Sequence, residues 1–110
     1  MSAPHKAVQY IIDNAKNYAQ AKAARVQLEE FRKSKKALLM KDALKAGIEA
    51  VTAQEREAYS HPEYQQLLKD LQAAIEVEET IKWMMEAARM RVEIWRSEEA
   101  TARLENRATE

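Results

Sequence analysis

The sequence predicts an all-α protein, a long antiparallel helical hairpin that dimerises into a four-helix bundle or a coiled-coil-like assembly. Three observations predict it. One glycine and two prolines in 110 residues leave little to interrupt a helix. Apolar side chains recur at steps of three and four along most of the chain, the period of one helix face. The strongest punctuation, Tyr59-Ser60-His61-Pro62-Glu63, falls near the middle. The expectation is therefore a single helical domain over residues 1–110, with a helix from about residue 4 to 58, a turn at 59–61 and a second helix from about 62 to 107.

Pro4 suits the first turn of the first helix, where a missing N–H costs nothing, with Ser2 or Ala3 near the cap. Val8, Ile12, Ala15, Ala19, Ala23 and Val26 then draw one stripe, rich enough in alanine for a partner helix to approach closely. The basic run after Phe31 interrupts the stripe, and Met40, Leu44, Ile48 and Val51 resume it in a new phase. Gly47 costs about 1 kcal/mol relative to alanine inside a helix. If the first helix breaks at Ser34 or Gly47, a monomeric three-helix bundle becomes the competing architecture.

Ser60 and Glu63 read as a capping box around Pro62, so the second helix starts there. Its stripe runs without a slip through Tyr64, Leu67, Leu71, Ala74, Glu78, Ile81, Met85, Ala88, Val92 and Trp95. Trp95 is expected to be buried. Leu68, Ile75, Val77, Met84 and Ile94 widen the apolar surface beyond one partner's reach. A helix of this length spans nearly 70 Å at about 1.5 Å per residue, and two such rods cannot close a globule alone. This predicts the homodimer.

Composition narrows the function classes. The longest apolar stretches fall far below the roughly 20 residues of a membrane helix, and no secretory pattern opens the chain, so the expectation is cytoplasmic with no membrane partner. Without cysteine there are no disulfides, thiolate nucleophiles or zinc fingers. A single glycine cannot build a phosphate-cradling loop, and no Ser-His-Asp set can be assembled. Residues 1–60 carry 11 basic and 7 acidic side chains and residues 61–110 carry 7 and 11, so the two halves attract in an antiparallel hairpin.

Candidate contact residues are Arg32, Lys33, Lys35 and Lys36, whose charges suit phosphates, with Phe31 beside them. Trp83, off the stripe, is the expected protein-contact residue. A turn near residue 60 sets Lys41 and Lys45 opposite Glu76, Glu78 and Glu79. Glu78 on an apolar stripe needs such a partner, and a salt bridge to Lys41 or Lys45 is expected. A divalent-cation site built on Glu76, Glu78, Glu79 and Glu86, as in all-helical nucleotide hydrolases, lacks facing carboxylates on the first helix. No Glu-x-x-His pair exists either. No metal, cofactor or catalytic residue is expected.

Ala21-Lys22-Ala23-Ala24-Arg25-Val26-Gln27-Leu28-Glu29-Glu30-Phe31-Arg32-Lys33-Ser34-Lys35-Lys36-Ala37 and Val92-Glu93-Ile94-Trp95-Arg96-Ser97-Glu98-Glu99-Ala100 resemble stretches of small helical phage- or prophage-encoded proteins of unassigned function. The resemblance covers most of the chain and transfers no catalytic residues. It implies a bacterial cytoplasm and an accessory role in phage DNA metabolism or host takeover. The expected function is thus a non-enzymatic helical interaction protein that binds a protein of DNA metabolism. The alternative is sequence-independent binding of DNA or RNA through residues 32–36.

Overall fold

The computed structural model describes residues 2–109. They form three helices, α1 (Ala3–Lys45), α2 (Val51–Ser60) and α3 (Pro62–Thr109), and α1 packs against α3. The expected first helix over residues 4–58 is therefore two helices, with the break at Gly47. Ser34 lies in unbroken helix. None of the described helices is long and apolar enough to cross a membrane.

The end of α1 shows why the chain turns where it does. Gly47 has a φ of 99°, in the left-handed region that favours glycine. Its N–H donates to the Leu44 carbonyl at 3.0 Å, and the Ile48 N–H donates to the Ala43 carbonyl at 3.0 Å, the paired bonds of a Schellman cap. Gln54 secures the segment between the cap and α2: its buried amide donates to the carbonyls of Ile48 at 2.9 Å and Glu49 at 3.2 Å. Nothing lies within 4 Å of where a Gly47 Cβ would stand, so a substitution there meets a conformational penalty alone. Gly47→Ala is expected to lose about 1–2 kcal/mol in urea denaturation, and Gly47→Asn less. An unchanged midpoint for the alanine variant would show that α1 can end without this cap.

The second corner corrects the expected capping box. Ser60 is the last residue of α2, and its hydroxyl donates back to the Arg56 carbonyl at 2.8 Å. The capping role falls to His61, whose Nδ1 accepts from the Glu63 N–H at 3.1 Å. Pro62 is the cause, because it pushes the preceding residue out of the helical region, and His61 is extended at φ −65°, ψ 135°.

The chain divides into two compact parts: Gln20–Glu78, and the N-terminal residues through Ala19 with α3 from Glu79 onward. In the first, Leu39, Ala58 and Tyr64 form a small buried cluster from all three helices, with Met40 and Leu68 packed against it. On α3 the inward positions are Tyr64, Leu67, Leu71, Ala74 and Glu78; in the second part they are Ile81, Met85, Ala88 and Val92, all as the spacing predicts. Trp95 departs from it and is 42% exposed, since the described residues of α1 place no turn opposite it.

The stripe on α1 is out of phase with expectation. Val8, Ile12, Ala15, Ala19, Ala23 and Val26 are all exposed. The inward face is instead Pro4, Ala7, Ile11, Asn14 and Tyr18 in one part, and Ala21, Arg25, Leu28, Arg32, Lys35, Leu39 and Ala43 in the other. Three polar members of this face have partners: the Asn14 amide donates to the Tyr10 carbonyl at 2.9 Å, Arg25 meets Glu78 and Lys35 meets Glu63. Satisfied in this way, a polar side chain can turn inward at modest cost, and the helix need not bury its most apolar stripe.

Candidate binding surfaces

Within Gln20–Glu78, a buried charge sets the face that α1 turns toward α3. Glu78 is 6% exposed on the α3 stripe, and it pairs with Arg25 rather than with the expected Lys41 or Lys45. Arg25 Nε donates to Glu78 Oε2 at 2.5 Å and the adjacent guanidinium nitrogen to Oε1 at 3.1 Å, a two-pronged contact. A third nitrogen reaches Glu29 at 3.0 Å. These bonds, to Glu78 first and Glu29 second, hold the Arg25 guanidinium protonated above its ordinary range. The expected partners failed because α2 intervenes: the corner spans Ala46 to His61, and the register of α1 against α3 shifts with it.

The same corner brings part of the basic run to two tyrosines. Arg32, Lys33 and Lys36 line a cleft of about 340 Å³ with Tyr59 from the end of α2 and Tyr64 from the start of α3. The rings meet edge to face at 5.4 Å and 72°, and Lys36 Nζ stands 4.7 Å from the centre of Tyr59. The Tyr59 side chain is the main cause that raises the Lys36 ammonium above its ordinary value. Sequence reasoning missed Tyr59 and Tyr64 as members of a cleft, although their places on either side of His61-Pro62 are a usable signal.

Lys35 is not in this cleft. It lines a separate groove with Phe31, Glu63 and Leu67, and its Nζ meets Glu63 Oε2 at 2.7 Å. That ion pair holds the Glu63 carboxyl below its ordinary value of 4.5, with a smaller contribution from His61. Its stabilisation is present above that value and is lost as pH falls through the lower folded one. Lys33 meets Glu30 at 3.2 Å and Lys36 meets Glu55 at 3.8 Å. Three of the four expected phosphate contacts are thus engaged by carboxylates.

The other part carries apolar surface. On α3, Trp83, Met90 and Ile94 are 59%, 51% and 57% exposed, and with Ala87 they follow steps of four, three and four along one face. Glu79, Glu86 and Glu93 run beside them at heptad spacing. Glu79 accepts from the Trp83 indole N–H at 3.0 Å. On α1, Val8 and Ile12 are 44% and 62% exposed and continue into Ala15 and Ala19. Between the two helices, on another side, lies a groove of about 480 Å³ lined by Ala3, Ala7, Ala87 and Ala88, with Tyr10 and Met84 as walls and Lys6 and Arg91 as its charged members.

No group of three or more His, Cys, Asp or Glu side chains among the described residues is arranged to hold a metal ion. Comparison with protein-family models, with curated proteins and with solved structures returned no match.

Proposed function

We propose that the chain is a non-enzymatic helical interaction protein that pairs with a second copy of itself and docks a protein of DNA metabolism. The observation that carries this reading is the Trp83, Met90 and Ile94 stripe, an aromatic and thioether surface left open to solvent on a helix already packed along its opposite side. Trp and Met are enriched where proteins dock, and a buried Trp commonly dominates the affinity. Val8, Ile12, Ala15 and Ala19 suit the second copy, because alanines let two helix backbones approach closely. The resemblance to phage accessories supports placing the docked protein in DNA metabolism.

The cleft of Arg32, Lys33 and Lys36 with Tyr59 and Tyr64 favours a second reading, nucleic-acid binding by phosphate contact and ring stacking. Carboxylates already engaging Lys33, Lys35 and Lys36 weaken it, which is why protein docking is placed first. The two readings separate on purified protein. Sedimentation is expected to show a dimer that Ile12→Glu converts to a monomer, and Trp83→Ala is expected to leave the dimer intact while the captured host protein is lost. A monomer at every concentration would sink the self-pairing. Retention of an oligothymidylate that falls steeply with salt and vanishes on changing Arg32, Lys33 and Lys36 to Glu would make nucleic acid the first reading.

A further inference from the structure

We infer that the groove between the start of α1 and residues 84–91 of α3 takes an acidic amphipathic helix from a partner protein. This rests on reading the chain as an interaction protein, and it names the surface that adjoins the Trp83 stripe at Ala87. Two helices packed side by side leave a furrow on each flank, and a third helix laid along one of them is the ordinary way a helical bundle is completed. Here the furrow is lined by alanines, buried Ala7 and Ala88 with exposed Ala3 and Ala87, so that an incoming helix can settle close to both backbones. Tyr10 and Met84 supply the apolar area on which its leucine-type side chains would rest, and Met84 stands 50% exposed without such a cover.

Charge selects the occupant. Lys6 from α1 and Arg91 from α3 both belong to this furrow, and neither forms an ion pair among the described residues. On the same helix Arg89 is answered by Glu86 at 2.8 Å and Arg96 by Glu93 at 3.4 Å, and no carboxylate lines this furrow. An apolar furrow rimmed by two unanswered cations complements a helix with carboxylates flanking its apolar face and rejects one flanked by lysines. A second copy meeting this furrow with its own would bring four cations together, which disfavours symmetric self-pairing at this site. A second copy offering its Glu79, Glu86 and Glu93 face would make a head-to-tail contact that does not close into a dimer.

The test uses the full chain and two designed, fluorescein-labelled peptides of about three heptads, both with leucine on the seam, one flanked by Glu and one by Lys. Fluorescence anisotropy is expected to show binding of the Glu peptide, weakening with salt, and none of the Lys peptide. The double variant Lys6→Glu with Arg91→Glu is expected to weaken the Glu peptide by about tenfold or more and to gain the Lys peptide. Ala3→Trp, which plugs the furrow and leaves its charges in place, is expected to block the Glu peptide, with helicity by circular dichroism unchanged. Failure of the Glu peptide to bind, or equal binding of the two peptides, overturns the inference. Loss of binding in Trp83→Ala but not in the charge variant moves docking to the outer stripe, so that the proposed function stands and this inference falls. Oligomers that grow with concentration and disappear in the charge variant assign the furrow to a second copy and overturn it likewise.

Discussion

Replacing Leu71 with Asp is expected to unfold Gln20–Glu78, with the helical signal at 222 nm collapsing and no cooperative urea transition left to measure. Leu71 is 7% exposed on the inward stripe of α3. Its burial is worth about 1.5–3 kcal/mol, and a carboxylate in its place adds the cost of a charge taken out of water. Together these exceed about 4 kcal/mol, the range reached by few single substitutions. The structure has little margin against such a loss, since the buried apolar residues described in this part are few: Leu39, Ala43, Ala58, Tyr64, Leu67 and Leu71 itself. Small domains seldom hold more than the lower end of the usual 5–15 kcal/mol or so. Val77→Asp serves as the comparison. It lies six residues further along the same helix at 53% exposure, and the expected change is within about 0.5 kcal/mol. Equal urea midpoints for the two variants would mean that the α3 stripe is not what supports this part of the molecule.

The contrast between Leu71 and Val77 was legible in the sequence, because every position from Tyr64 to Val92 on the α3 stripe keeps the three-four step and nearly all are apolar. The same rule misplaced α1. Two stripes one residue apart both satisfy the period there, and the more apolar one, through Val8, Ile12 and Val26, is the one left outside. Periodicity counts side chains on one helix, whereas the inward face depends on what stands across from it. At Arg25 that is a carboxylate no local pattern could supply, 53 residues away in sequence. The corner was half legible for a related reason: Pro62 marks a helix start by its own geometry, but whether Gly47 ends a helix depends on Ile48 and Gln54 finding acceptors around it. Among the candidate contacts, the exposure of Trp83 was legible from its lying off the stripe. The separation of Lys35 from Arg32, Lys33 and Lys36 required knowing where α2 would go.

Arg25→Met is expected to lower the melting temperature by several degrees, more than Glu78→Leu does, and combining the two is expected to restore most of the loss. The asymmetry comes from which charge is left behind. Glu78 has 8% of its side chain exposed and Arg25 has 23%, so the arginine without Glu78 keeps Glu29 at 3.0 Å and a route to solvent. The carboxylate without Arg25 loses both prongs of that contact at a side chain only 8% exposed, and breaking a buried ion pair from one side costs more than the intact pair contributes. Replacing both side chains with apolar ones removes the problem at its source, as such swaps often do. A double-mutant cycle in urea measures all of this, and a Glu78→Leu loss equal to that of Arg25→Met would contradict it. Arg25 and Glu78 also keep Ala23 and Val26 turned outward, because no rotation of α1 that buried them could hold Arg25 against Glu78. Freed of that constraint, the double variant is expected to unfold less cooperatively than wild type, with a shallower urea slope, since two phases of the same helix then compete for α3.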